Sequence, residues 1–498
     1  MQTIRKNAVL FAVWLAALPL MAGCGSAVDA SRAYSRGVID SGMIVPADSI
    51  RIHEYLNHYE QRFPEPLDEP LGLDVRLGNA QMPAPGGEVW VQIGVQARAD
   101  GSGARSPMNL ALVLDVSGSM DDPMKMPYLK QSLSVFLQSL QPDDQVGIIA
   151  YADEAELLRP IDAVGSSPWI PGIVGRLSPG GSTNLYAGLM MGLEEVERTY
   201  DLRCNNRVIL LTDGIANVGQ TDPEQIAARA LAYNQRGIYL STIGLGLDMN
   251  DTLLSTLARQ GRGAYHFVDS AQEMDKVFRQ EVEGLLEKVA SEVRMAVEAY
   301  PGVSLTQVTG LDAPPPVQGA EVGLQDMGAG DSQVVLVRLQ TGGMPMGVQT
   351  VARVTLRYFD IYGQKAREAS ADIRVESAQV AVYNPLADVE VWRSATIVRS
   401  AETLRAIDRF WQSGQYEQAW LAAASMEREL REVAGLAGDP QLVADADLFR
   451  RYQLTLAGAL GYDPGQGGFE DLPDGGGTQS RWGSDPAPGS TLPAVEVR

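Results

Sequence analysis

Asp115, Ser117 and Ser119 take every second position of the run Asp115-Val116-Ser117-Gly118-Ser119-Met120. In an extended chain that spacing turns three side-chain oxygens to one side, and Gly118 among them lets the backbone bend. Two further segments carry oxygens of the same kind, Gly180-Gly181-Ser182-Thr183-Asn184 and Leu211-Thr212-Asp213-Gly214. Hydroxyls and carboxylates are hard donors. With no Cys or His among them, they suit Mg²⁺, Mn²⁺ or Ca²⁺ rather than zinc or copper. The competing use of Ser and Asp is to cap helices, which they do well. Capping explains any one segment taken alone, and explains three in this order poorly.

Enzyme chemistry finds less support, and the chain is expected not to be an enzyme. It has no Gly-rich phosphate loop ending in Gly-Lys and no Gly-x-Ser-x-Gly elbow. His53-Glu54 and His58 invite a zinc-protease reading, but the two histidines are five apart, about 140° around a helix, and point away from each other. His266, in the strand-like Ala264-Tyr265-His266-Phe267, reads as a packed or rim residue rather than a base. Cys24 and Cys204 are the only cysteines, so at most one disulfide can form. Cys204 lies in a helix-to-strand connector and reads as a half-buried filler.

The elements that must position the oxygens follow from hydrophobic patterning. At 498 residues the chain exceeds one core, and two or three domains are expected. Hydrophobic residues at 45% and charged residues at 20% are ordinary for a soluble globular protein. Between Asn109 and Lys288, apolar runs at Leu110 to Leu114, Val146 to Tyr151, Val208 to Leu211 and Ile238 to Ile243 predict strands. Helical stretches near Met124 to Leu140, Leu185 to Tyr200, Pro223 to Arg236 and Asp251 to Gln260 separate them. That alternation predicts a doubly wound, Rossmann-like α/β domain, in which ligands bind outside the carboxyl ends of the strands. The oxygen-bearing segments fall at such places.

Period-two alternation flanks this region, at Val89 to Ala97 before it and at Val293 to Val297, Ser332 to Gln340, Val354 to Tyr358 and Ile373 to Val375 after it. The expectation is a β-sandwich assembled from both flanks with the α/β domain inserted, two separate β modules being the alternative. Ile52, Leu56, Tyr59 and Phe63 predict a short helix ended by Pro64 and Pro66. From Leu386 to about Gly461 the chain reads as helical, and Gly414 with Tyr416-Glu417-Gln418-Ala419 resembles one tetratricopeptide helix pair. One pair cannot bury its face alone, so a small helical cap is expected.

The formal charge of -22 disfavours nucleic acid and anionic lipid as partners, and Lys and Arg are scattered along the sequence rather than clustered. Arg5 and Lys6 precede an apolar stretch, Ala8 to Ala22, that is short for a membrane span and reads as an export signal. Its end, Leu20-Met21-Ala22-Gly23-Cys24, resembles the bacterial lipoprotein signal, which implies lipidation of Cys24 and a location at the bacterial cell envelope, lipid-anchored and exposed to the periplasm or cell surface. Export would also remove the chain from any ATP supply, so no nucleotide partner is expected.

The three oxygen-bearing segments together resemble the metal-ion-dependent adhesion site of von Willebrand factor type A domains. Asp-x-Ser-x-Ser, a distant Thr and a later Asp are all present. The resemblance implies that Ser117, Ser119 and Thr183 coordinate a metal while Asp115 and Asp213 hold its waters, with Ser182 beside Thr183 offering a second hydroxyl. Mg²⁺ is the expected cofactor, with Mn²⁺ or Ca²⁺ as alternatives, and the expected partner is a protein presenting an Asp or Glu carboxylate. The alternative is an envelope spacer or scaffold in which the cation only stabilises the fold. The expected organisation is a signal peptide over 1–24, a flexible tether over 25–48, a helix and β segment over 49–107 and the type A domain over 108–288. A β-strand region over 289–380 completes a sandwich with 85–100, followed by a helical region over 381–461 and a disordered tail over 462–498.

Overall fold

Small residues rather than large apolar ones begin the described part of the chain. The computed structural model describes residues 30–59, 61, 63–99, 107–123, 125–165, 168–268, 277, 288–311, 315, 317–380 and 382–460. The expected signal peptide with Cys24, the Asp100-Gly101 loop and the 462–498 tail lie outside these residues. Ala30–Asp40 forms helix α1 and Ile52–His58 helix α2. Helix α1 corrects the expected flexible tether over 25–48. Its buried Ser31 donates to the Ser49 carbonyl at 2.7 Å, and Ser35 accepts from the Tyr55 hydroxyl at 2.5 Å. A helix face of Ala and Ser whose polar atoms are paired leaves little trace in hydropathy. The helix predicted through Phe63 stops at His58, where Tyr59 turns to extended backbone.

Leu71–Leu77 (β1), Gln81–Pro83 (β2) and Glu88–Ala97 (β3) lead into the α/β region. That region runs Met108–Asp115 (β4), Met126–Ser139 (α3), Gln145–Tyr151 (β5), Ala155–Ala163 (β6), Ile170–Arg176 (α4), Leu185–Arg198 (α5) and Asn205–Thr212 (β7). It continues through Pro223–Asn234 (α6), Tyr239–Leu245 (β8), Asp251–Gln260 (α7) and Arg262–Val268 (β9). The sheet order is β6-β5-β4-β7-β8-β9, parallel except for β6, which pairs antiparallel with β5. Strand β6 and helix α4 had no signal in the sequence: β6 is an edge strand with a largely exposed surface, which supplies no apolar run.

Every residue of β4 is buried, and its alternation splits the two faces. Leu110, Leu112 and Leu114 share one core with Leu129, Leu133 and Phe136 of α3. Ala111 and Val113 share the other with Leu189 and Leu193 of α5 and Ile226 and Ala230 of α6. Helix α3 after β4 and helix α6 after β7 therefore cover opposite faces, although β4 and β7 are neighbours. The chain reverses direction of winding between these two strands, and a crevice opens at their carboxyl ends.

After the α/β region come Lys288–Ala299 (β10), Val303–Val308 (β11), Gly319–Gly323 (β12), Met327–Gly328 (β13), Ser332–Thr341 (β14), Gly347–Asp360 (β15) and Lys365–Ala378 (β16). One sheet is ordered β1-β3-β14-β11, the other β12-β10-β15-β16-β2, with β13 beside β10. The pairing of Val91 with Val337 and Ile93 with Val335 joins the two flanks of the inserted region in a single sheet. Val91 and Ile93 share a core with Met295, Val354 and Leu356 of the other sheet, so the flanks form one sandwich and not two modules. Val389–Gln412 (α8), Tyr416–Ala437 (α9) and Pro440–Ala459 (α10) close the chain. The expected helix pair is thus three helices. Phe449, Tyr452 and Leu456 of α10 share a core with Leu404 and Trp420 and with Val38 and Leu56 of the N-terminal helices. Among the described residues no helix is long and apolar enough to cross a membrane.

Candidate metal centre

Strand β4 ends at Asp115, whose side chain is fully buried and held by donors from three elements. The Ser117 amide donates to its Oδ1 at 2.8 Å, and the Thr212 hydroxyl at 2.6 Å and the Tyr151 hydroxyl at 3.2 Å donate to Oδ2. Burial raises the Asp115 carboxyl above the ordinary carboxylate range; bonds from Ser117 and Thr212 oppose the rise and the charge of Asp213 adds to it. Beyond Asp115 a tight turn, Gly118–Met120, brings the Ser117 and Ser119 hydroxyls within 3.1 Å of each other. The Ser119 hydroxyl donates to Asp213 Oδ1 at 2.7 Å, and Asp213, one residue past the end of β7, is fully buried.

Thr183 comes from the loop before α5, and backbone bonds place it. The Gly118 amide donates to the Gly181 carbonyl at 2.9 Å, and the Gly180 amide to the Val116 carbonyl at 2.8 Å. Gly181 has φ +79°, which favours glycine, and a β-carbon there would lie 2.5 Å from Asp153 Oδ2. The Thr183 amide donates to Asn217 Oδ1 at 2.9 Å, and the Asn217 amide returns to the Thr183 carbonyl at 3.1 Å. A β-carbon added at Gly214 would lie 3.4 Å from Thr183 Oγ1 and 3.6 Å from Ser119 Oγ, so both hydroxyls face the same small space. Thr183 is buried with its hydroxyl toward the space at Gly214, whereas Ser182 is half-buried.

All five oxygen-bearing residues singled out in the sequence, Asp115, Ser117, Ser119, Thr183 and Asp213, therefore gather at the crevice between β4 and β7. Capping does not employ them. Asn184 caps α5, Asp222 caps α6, and the N-terminus of α3 has no side-chain cap.

Residues 109–280 match the family model of the von Willebrand factor type A domain. The chain contains a type A domain. It is 27% identical over 278 residues to the uncharacterized protein YfbK of Escherichia coli, covering 54% of this chain and 48% of that one. It is 26% identical over 334 residues to the uncharacterized protein sll0103 of Synechocystis, covering 65% and 79%. A 26% match over 267 residues to bovine inter-alpha-trypsin inhibitor heavy chain H4 covers 50% of this chain and 28% of that protein. The chain thus spans about half of the Escherichia coli relative and less of the bovine one. The fold is similar to that of a von Willebrand factor type A structure from Catenulispora acidiphila, with 18% identity, a TM-score of 0.52 and coverage of 74% and 87%.

The donors of this type A domain fit a small hard cation. Two oxygens in adjacent positions of an octahedron, each roughly 2.1 Å from the ion, stand about 3.0 Å apart; the Ser117 and Ser119 hydroxyls stand at 3.1 Å. Among the described residues no group of three or more His, Cys, Asp or Glu side chains is placed to hold a metal. Lys125, Tyr151, Asp153, Thr212 and Asn217 also serve the type A site and escaped the sequence reading. Thr212 adjoins Asp213 and Asn217 follows four residues later, which is the one signal that proximity in sequence offered. His266 is buried in β9, and the Cys204 thiol is held up by burial, as a filler would be.

Proposed function

We propose that the type A domain binds Mg²⁺ through Ser117, Ser119 and Thr183, with Asp115 and Asp213 holding its waters, and captures a protein partner through an Asp or Glu carboxylate. The observation that carries this reading is the convergence of three hydroxyls and two buried carboxylates at the switch point of the sheet. Neutral hydroxyl ligands leave a bound cation electron-poor towards an open position, which favours an anionic ligand from outside. Ile215, on the loop that follows Asp213, is 57% exposed and offers an apolar contact beside that position. Binding, not catalysis, is the proposed role.

The same proposal places the chain at a bacterial envelope, held by lipid on Cys24. Five residues separate Cys24 from α1, and an extended chain spans at most about 3.6 Å per residue, so the body would stand within roughly 20 Å of the anchor. Incorporation of labelled palmitate, lost in Cys24→Ser, tests the anchor. For the site, Mg²⁺ is titrated calorimetrically into metal-stripped protein beside Asp115→Ala, followed by capture of envelope proteins with Mg²⁺ or chelator. Saturable binding that the variant loses, with a partner retained only when Mg²⁺ is present, is the expected result. Metal binding that raises thermal stability without metal-dependent capture would instead identify a structural spacer.

A further inference from the structure

Lys125 sits at the entrance to α3, six residues beyond Ser119, and its ammonium reaches back into the site. Nζ lies 2.7 Å from Asp213 Oδ2 and 3.4 Å from the Ser119 carbonyl oxygen. The Asp213 side chain is fully buried and that of Lys125 is 20% exposed. Asp213 Oδ1 already accepts the Ser119 hydroxyl, so one carboxylate is shared between a proposed metal ligand and a cation of the chain itself. The Lys125 stem crosses the crevice: its Cε would lie 3.8 Å from a β-carbon at Gly246, just past the end of β8.

We propose that Lys125 is a resident counter-ion that a divalent cation must displace. The proposal rests on the cation-binding reading above. A fully buried carboxylate without a compensating charge is costly, and the ammonium supplies that charge while no metal is present. When a dication enters beside Ser119, two positive centres share one carboxylate in surroundings that screen poorly, and they repel. Of the two, the ammonium is free to leave. Lysine carries a compact charge on a flexible four-carbon stem, and this side chain already reaches solvent. The site thus keeps its shape without metal, at the cost of weaker metal affinity. The carboxylate of Asp213 exchanges one cation for another and is never left bare.

The test compares the whole protein with Lys125→Met, which keeps the stem and loses the charge, and Lys125→Arg, which keeps the charge. Mg²⁺ alone is titrated calorimetrically, thermal unfolding is followed with chelator and with saturating Mg²⁺, and amine acetylation at Lys125 is read by mass spectrometry, with exposed Lys365 as control. The expected result is Mg²⁺ affinity about tenfold tighter in Lys125→Met and not tighter in Lys125→Arg. Lys125→Met should also unfold at a lower temperature than the parent with chelator, and at the same temperature with Mg²⁺. In the parent, Mg²⁺ should accelerate acetylation of Lys125 and leave Lys365 unchanged. Unchanged or weaker affinity in Lys125→Met, or acetylation that ignores Mg²⁺, would make the pair a fixed structural one and overturn the inference while leaving the metal site standing. Absence of Mg²⁺ binding in every form would overturn both. Should Lys125→Met not fold, the acetylation measurement on the parent decides alone.

Discussion

The Thr212 hydroxyl donates to Asp115 Oδ2 at 2.6 Å and ties the carboxyl end of β7 to that of β4 across the crevice. These residues are far apart in the chain and adjacent only because β4 and β7 pair in parallel, Leu114 beside Leu211. The bond fixes the orientation of the carboxylate that would hold a metal's water. Replacing Thr212 by Val keeps the volume and removes the donor. Mg²⁺ affinity is expected to fall about tenfold, in the range seen when partners of metal-orienting groups are lost. Stability should fall by roughly 1–2 kcal/mol. Calorimetry and urea unfolding of the same preparation measure the two effects, and an unaltered affinity would show that Tyr151 and Ser117 orient Asp115 unaided.

Gly181→Ala places a side chain where φ is +79° and where Asp153 Oδ2 would be 2.5 Å away. The positive φ strains the loop, and with it the carbonyl that accepts from Gly118 and the residue two positions on, Thr183. A loss of about 1–2 kcal/mol of stability is expected together with weakened Mg²⁺ binding. Loss of stability with full metal affinity would mean that Thr183 is positioned by Asn217 alone.

Arg51 joins the N-terminal segment to the type A domain. Its guanidinium grips Asp251 with two bonds, at 2.8 and 3.2 Å, and lies 5.2 Å from the centre of the Tyr265 ring, whose hydroxyl donates to the same Asp251 at 2.7 Å. Breaking a buried pair leaves the partner charge uncompensated, so Arg51→Met should lower stability by about 3 kcal/mol. Limited proteolysis should then cut between residues 30 and 59 faster than in the parent. Equal cleavage rates would show that the packing of α1 against Phe267 holds the segment without the ion pair.

Asp331 lies in the sandwich, where burial pushes its carboxyl up to about 6 although the Gly328 amide donates to it. In the unfolded chain an aspartate titrates near about 3.9, so between the two values the folded protein binds the extra proton. Stability from this group is complete below the unfolded value and is lost as pH rises through about 6. Asp331→Asn should flatten that part of the pH-stability curve, by on the order of 1–2 kcal/mol between pH 4 and 7. Urea unfolding at a series of pH values tests this, and parallel curves for the two proteins would place the titration elsewhere.

The α/β core and the donor residues were open to a reader of the sequence because both are local properties. Continuous apolar runs mark buried strands whatever their neighbours, and Asp115, Ser117 and Ser119 lie within five residues of one another. What hydropathy missed was either polar and paired, like Ser31 and Ser35 of α1, or exposed at an edge, like β6. A sandwich drawn from both flanks of the inserted domain was expected from alternation, but the pairing of β3 with β14 and its register were not.

The sequence by itself determined which atoms the site can offer, since hydroxyl and carboxylate oxygens are hard donors wherever they stand. Only the tertiary structure decided that they meet. The order β5-β4-β7 sets Asp115 beside Thr212 and brings Ser119 onto Asp213, and the turn of α3 returns Lys125 to the same carboxylate. No spacing encodes such meetings, because strand order is chosen by how both faces of the sheet are buried at once.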